Sequence, residues 1–474
     1  MPTPRVAASP PELLELLDGI VRVDDDGLVI DDEAALRARG IGDVAWTATF
    51  SPDPDTVEAA RWVVWESSQL LGCPSASIHD LYMARGRGEV GGFTVPALNL
   101  RTQVFDMAAA ATRAASVLDA GTVIFELARS EQEYTYQRPA EYITSVLAGC
   151  IAAGWDGPVF VQGDHYQFNA AKYAADPDGV TRSLRQATTT ALEVGYGNID
   201  IDSSTLVDLS LPTVDAQQRT NYERAAELAA LIRGDQDEGL TVSIGGEIGE
   251  VGKQNSTEEE LRAYLDGFRR TLDERAGSDS VGLSKVSVQT GTSHGGVPLP
   301  GGGVAEVKLD FGTLERLSAV CRSYGLAGAV QHGASTLPDE LFHRFPRVET
   351  AEIHLATGFQ NLLYDHPAFP AGLRAGIEAW CFANAVDERK DGETDAQFVY
   401  KTRKKALGEH KRELWDLPEK DEIVATQEEK LRFLFEQLAI TGTRSLVRRF
   451  VTVPRRSRPA PAGLREASSH RSMA

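Results

Sequence analysis

Three histidines stand at the ends of short apolar runs: His165 after PVFVQ, His294 after VSVQT and His332 after AGAVQ. A neutral imidazole is the commonest protein ligand for a transition metal. A catalytic zinc-type site needs three such ligands and one open position for water or substrate. Imidazoles delivered from distant segments of one chain meet that need. Carboxylates stand beside them. Glu247, in the turn Gly245-Gly246-Glu247-Ile248-Gly249, offers a hard oxygen ligand. Asp164 and Asp202 sit at run ends, where they can orient ligands or exchange protons. Asp202 is the candidate for an outer or alternate ligand. One histidine after a strand is more often a packed, hydrogen-bonded side chain. Three of nine histidines in that position, with carboxylates at the ends of the same set of runs, favour a metal. His79, His343, His366, His410 and His470 fall away from these runs, and His354 lies inside one.

Glycine-rich turns form a second constellation. His294-Gly295-Gly296, Pro300-Gly301-Gly302-Gly303 and His332-Gly333-Ala334-Ser335 expose backbone N–H groups. Such groups, at the start of a helix, bind phosphate. The His-Gly-Ala-Ser-Thr run is the stronger candidate, because a helical pattern follows it.

The elements that must carry these residues alternate. Strand candidates cover 92–97, 122–126, 158–163, 198–202, 241–245, 285–290, 326–331 and 352–356. Helical patterns lie between them, at 108–118, 141–153, 256–276 and 313–324 among others. Ser256 and Glu259 have the S-x-x-E spacing of a capping box. Eightfold strand–helix alternation predicts an α/β fold, the (β/α)8 TIM barrel, with chemistry in the loops after the strands. The rival is an open doubly wound sheet. Residues 1–90 read as an N-terminal extension with a hairpin at Asp24-Asp25-Asp26-Gly27. Residues 91–370 read as the barrel and 371–450 as C-terminal helices. Residues 451–474, rich in Arg, Pro, Ser and Ala, predict a disordered tail.

The bulk numbers exclude other classes. The 474 residues are 42% hydrophobic and 25% charged, with a formal net charge of -21. That charge argues against nucleic acid or an anionic membrane as partner. No run approaches the roughly 18 apolar residues of a membrane span. The start of the chain lacks the basic and apolar regions of a secretory signal. Cys73, Cys150, Cys321 and Cys381 are dispersed, as in a reduced, cytoplasmic protein.

At these residues the chain resembles the class II, metal-dependent fructose-bisphosphate aldolase family. Phe93–Asn99 resembles its opening strand, and Gly163-Asp164-His165 its Asp-His pair. Asn198–Ser204 is similar to its Met-Ile-Asp-x-Ser motif, and Glu247-Ile248-Gly249 to its Glu-Leu-Gly motif. Gly291–Gly295 with Lys308–Phe311, and Gln331–Ser335, complete the order over about residues 91–410. The resemblance implies a zinc ion, or another divalent metal such as cobalt or iron, on His165, His294 and His332, with Glu247 as alternate ligand. It implies reversible aldol cleavage of a phosphorylated ketose through a metal-stabilised enediolate, with Asp164 moving the hydroxyl proton. Asn99, Gly295, Gly333, Ser335 and Thr357 would meet substrate or phosphate, and Arg403 a second phosphate. The family further implies a homo-oligomer, a dimer or tetramer.

Departures limit this. The loop after Glu247 reads Gly252-Lys253-Gln254-Asn255 where the family carries its Glu base. His354 stands where the family has an Asn, which makes it a second candidate catalytic residue, and Gly358 replaces an Asp. Glu126–Arg129 replaces Gln-x-Ser. A diverged substrate or an altered proton-transfer group follows. Alternatives are a non-catalytic accessory subunit of the tagatose-bisphosphate aldolase type, or another metal-assisted sugar-phosphate reaction such as epimerisation.

Overall fold

The computed structural model describes residues 4–24, 26–248, 254–291 and 309–472. Eight parallel strands form a closed ring: β1 (Val95–Asn99), β2 (Ile124–Ala128), β3 (Val159–Gln167), β4 (Asn198–Asp202), β5 (Ser243–Glu247), β6 (Lys285–Val288), β7 (Ala329–Gln331) and β8 (Glu352–Leu355). β8 pairs with β1 through Glu352 opposite Val95, and β3 pairs with β4, so the sheet has no free barrel edge. The chain is a (β/α)8 barrel. A two-residue strand, Ser75–Ala76, pairs in parallel with the start of β3.

Most strands are buried along their whole length, as expected when helices cover the outside and side chains fill the inside. Boundaries shift for local reasons. β1 starts at Val95 rather than at residue 92, because Gly92 takes a left-handed φ of 77°. The helix Glu258–Ala276 is capped by Thr257 with Glu260, one residue later than the expected Ser256–Glu259 box. Ser256 instead turns inward, its backbone N–H donating to Gln289 O at 2.8 Å.

The N-terminal residues form the expected hairpin, with Val21 opposite Ile30. The long helix Pro54–Leu70 follows, started by Asp53, whose carboxylate accepts from Thr56 N. The last segment departs from the disordered tail that its composition suggests. It runs extended along the helix Pro54–Leu70 and ends in the helix Ala462–Ser472. The Trp62 and Trp65 indoles donate to Arg458 O at 2.9 Å and Arg456 O at 2.6 Å. Arg458 stacks on the Trp65 ring at 3.6 Å, and Leu464 is fully buried. Arginines that lack an apolar face in sequence pack here by stacking on aromatic rings. Among the described residues no helix is long and apolar enough to cross a membrane.

Candidate active site

The C-terminal ends of the strands hold the chemistry. In a regular strand Asp164 and His165 would point to opposite faces. The β3–β4 register slips between Gly163 and Tyr166, and His165 adopts a left-handed φ of 42°. This bulge brings both side chains to the inside. A bulge with a strained non-glycine residue is the kind of backbone found at functional sites. At the end of β7, Gly333 turns the chain with φ of 70°, a conformation that costs glycine little.

His165, His332 and His354 form a row, with ring centroids 4.4 and 4.1 Å apart. Each ring has one nitrogen fixed from behind. His165 Nδ1 lies 3.2 Å from Asp202 Oδ2 and 3.3 Å from Glu247 Oε2. His332 Nδ1 lies 2.8 Å from Ser287 Oγ, and His354 Nε2 lies 2.7 Å from Glu352 Oε1. The opposite nitrogens face Asp164: its Oδ1 is 4.0 Å from His165 Nε2, 3.7 Å from His332 Nε2 and 3.4 Å from His354 Nδ1. Asp164, His165 and His332 are one group that can hold a metal, and His165, Asp202 and Glu247 are another. A polar or carboxylate partner behind each imidazole is how proteins orient metal-binding histidines. The donor set therefore fits a divalent ion. His294 and Gly295 lie outside the described residues.

Below this row the barrel interior is ionic rather than aliphatic. Lys285, at the start of β6, lies 3.0 Å from Asp200 Oδ2 and 2.8 Å from Gln162 Oε1, and pairs with Glu352. Gln162 donates to Glu126 Oε2 at 2.9 Å. Gly245 is required here, because a Cβ would come within 2.3 Å of Asp200 Oδ1 and 2.9 Å of Lys285 Cε. Lys285 and Glu352 are not evident from the sequence as inward-facing residues, and Glu126 stands out there only as part of the run that replaces Gln-x-Ser. An ionic residue at the start of an apolar strand reads as a solvated boundary, and only ring closure shows that it points inward.

The field of the site follows from this crowding. Burial alone would raise Asp164, but the His165 and His354 imidazoles hold it well below the usual carboxylate range. Burial likewise opposes ionisation of Glu247, yet His165 and His332 hold its pKa well below normal and keep it ionised. Burial would lower His165 and His354; Asp164 and Glu247 raise the first, and Glu126 and Asp164 the second. Glu126, whose burial outweighs its attraction to His354, is pushed up to about 7.

A cavity of about 880 Å³ opens over the row. Asn99, Asp164, His165, His332, Gly333, Ser335, His354 and Thr357 all line it, so eight of the proposed site residues converge. Glu247 and Asp202 lie behind the rings, outside that lining. Arg403 does not reach the cavity. Its guanidinium stacks on Tyr364 at 4.6 Å and Tyr400 at 5.0 Å and donates to Asn361 Oδ1 at 2.8 Å. The neighbouring Lys404 lines the cavity instead, with Arg101, which is paired to Glu131 at 2.7 Å. Burial lowers the Lys404 ammonium, and the Arg101 charge lowers it further. The short 3-10 turn Arg403–Ala406 swaps the two residues relative to the expected helix.

A closed (β/α)8 barrel with a histidine–carboxylate centre at its C-terminal end defines a class of enzyme-like barrels. Comparison narrows it. The family described as fructose-bisphosphate aldolase class-II matches residues 86–411, and the chain belongs to that family. No curated protein matches the chain. Among solved structures it is similar to a fructuronate-tagaturonate epimerase UxaE from Cohnella laeviribosi, at 10% identity over 90% of each chain with a TM-score of 0.54. It is also similar to a probable tagatose 6 phosphate kinase from Sinorhizobium meliloti 1021, at 18% identity over 80% of this chain and 98% of that one, TM-score 0.51. Both likenesses are of fold.

Proposed function

We propose that the chain is a metal-dependent lyase that cleaves a phosphorylated ketose in a reversible aldol reaction. One observation carries this reading: Asp164, His165, His332 and His354 converge at the floor of a cavity whose wall carries Arg101 and Lys404. His165 and His332, with His294 and Glu247, would hold zinc, cobalt or iron. A bound divalent ion supplies Lewis acidity, polarising the ketose carbonyl and stabilising the charge that develops as the bond breaks.

The chain's own residues do the rest. Asp164, held ionised, accepts the substrate hydroxyl proton. His354, backed by Glu126 and Glu352, stands ready to hold or return a proton beside it. Gly333, Ser335 and Thr357 offer backbone and hydroxyl donors for a phosphate, and Asn99, at the end of the neighbouring strand β1, meets the substrate beside them. Lys404 takes the place first given to Arg403 for a second anionic group.

Purified protein should carry about one divalent metal per chain and cleave a phosphorylated ketose. His165→Ala should lose metal and activity together. Metal-free protein that stays empty after loading would sink the enzyme reading and leave the accessory-subunit alternative. Products decide between lyase and epimerase: cleavage gives two fragments, whereas epimerisation keeps the carbon chain whole.

A further inference from the structure

We infer that a potassium-sized monovalent cation sits behind the substrate wall, held by the side-chain oxygens of Asn99, Gln103 and Gln427. This site stands apart from the divalent ion and from the lyase reading. A small cavity of about 20 Å³ lies there, with room for one body of the size of water, which is also close to the size of potassium. The loop 99–103 after β1 forms one side of it. The helix Thr357–Asp365 after β8 forms a second, and Gln427 of the helix Lys420–Gln437 a third. Asn99, Arg101 and Ala356 line this cavity and the large one alike. Whatever fills the small cavity therefore props the wall of the large one.

Three amides set the chemistry. Asn99, Gln103 and Gln427 are only 4%, 0% and 2% exposed. Asn99 Nδ2 donates to Glu131 Oε2 at 2.6 Å, Gln103 Nε2 to Leu414 O at 3.0 Å and Gln427 Nε2 to Phe359 O at 3.3 Å. Carboxylates and carbonyls only accept, so none of the three amides can be turned over. Asn99 Oδ1, Gln103 Oε1 and Gln427 Oε1 are buried and accept no hydrogen bond among the described residues. The Thr102 hydroxyl, beside the same cavity, also has no partner among them. Buried acceptors of this kind call for a donor or a cation. A water donates only two hydrogens, fewer than the oxygens it would face, whereas a cation takes them all. These oxygens are neutral, and no carboxylate lines the cavity among the described residues. That suits one positive charge, since doubly charged ions draw on carboxylates. Arg101 does not supply the charge. Its Nε donates to Glu131 Oε1 at 2.8 Å and its Nη1 to Gln360 Oε1 at 3.2 Å, so Glu131 already balances it. Gln103 also keeps a left-handed φ of 50°, which a non-glycine residue holds only where its surroundings impose it.

The test uses full-length protein dialysed into tetramethylammonium chloride, whose cation is too large for the cavity. Titration with KCl at constant ionic strength should raise the melting temperature by about 2 °C or more and then saturate. Crystals soaked in RbCl should show one rubidium anomalous peak bonded to the three amide oxygens. Gln427→Met keeps the bulk and removes one oxygen, so the potassium midpoint should rise by at least about 10-fold. Gln427→Glu covers the case in which the methionine variant fails to fold. A carboxylate at a ligand position should lower the midpoint by at least about 10-fold. Equal melting in the two salts, or a cavity that holds water and no rubidium, overturns the site. A potassium midpoint unchanged in both Gln427 variants overturns it as well. None of these outcomes touches the lyase reading, which stands or falls on the divalent ion and the products.

Discussion

At the scale of residues, neighbours in sequence separate sharply in space. Arg403 and Lys404 are adjacent cations, yet one packs among tyrosines and the other lines the cavity. Among the described residues Lys404 forms no ion pair of its own, and an ammonium that has already given up water binds an anion well, because part of the desolvation cost is already met by the fold. A charge-assisted hydrogen bond of this kind is worth about 1.5–3 kcal/mol. Lys404→Met should therefore raise KM for a phosphorylated substrate by about 10- to 100-fold with little change in kcat. Arg403→Met should leave KM nearly unchanged and lower the melting temperature, since it removes two stacked contacts. Steady-state kinetics and thermal unfolding on the two variants check this. Equal KM effects would mean that the cavity is not the anion seat. The sequence showed a basic run at 401–405. Which member faces inward depends on a single 3-10 turn, which the helical spacing of the run did not reveal.

At the scale of elements, the eight strands were legible because each apolar run is short and followed by a polar cluster. The Asp164-His165 pair was legible as chemistry, but not the bulge that lets both side chains face inward, since a register slip is decided by pairing with β4. The ionic layer was hidden for a similar reason: Lys285, Glu352 and Glu126 meet only across three strands. Next to that layer lies His79, which the sequence places on a helix or loop away from the strand ends and which is buried. It begins the helix His79–Gly86, and its Nδ1 lies 2.8 Å from Ser284 Oγ, just before β6. Burial, and secondarily the Arg233 charge, push its pKa down to about 3. The unfolded chain takes up a proton near pH 6.5, which the folded chain refuses. Stability is unaffected above that pH and falls as the pH drops from 6.5 toward 3. By pH 5 the loss is about 2 kcal/mol. His79→Asn should flatten this slope while leaving the melting temperature at pH 7 within a few degrees. Thermal unfolding of both proteins at pH 7 and pH 5 measures it, and parallel slopes would remove His79 as the cause.

At the scale of the whole molecule, the two ends of the chain are joined on one side of the barrel. Trp62 and Trp65, only 5% and 3% exposed, owe part of that burial to the segment around 456–461. Glu66 accepts from Ser457 Oγ at 2.7 Å and from Arg458 N at 2.6 Å, and Arg456 donates to Ser75 O at 2.6 Å beside the start of β3. The final segment thus ties the N-terminal helix to the strand that carries Asp164 and His165, though at the end away from the site. Deleting residues 452–474 leaves two indole N–H groups without their acceptors and strips Arg458 from the Trp65 ring. Each lost buried bond costs about 1–3 kcal/mol and the stacking about 1 kcal/mol. The truncated protein should unfold at least 2 kcal/mol more easily in urea and show red-shifted tryptophan emission. Its metal content should stay unchanged, because the site lies at the opposite ends of the strands. A truncation that costs nothing in stability would restore the solvated tail that composition alone suggests. Loss of metal at unchanged stability would mean that this strap acts on the site itself.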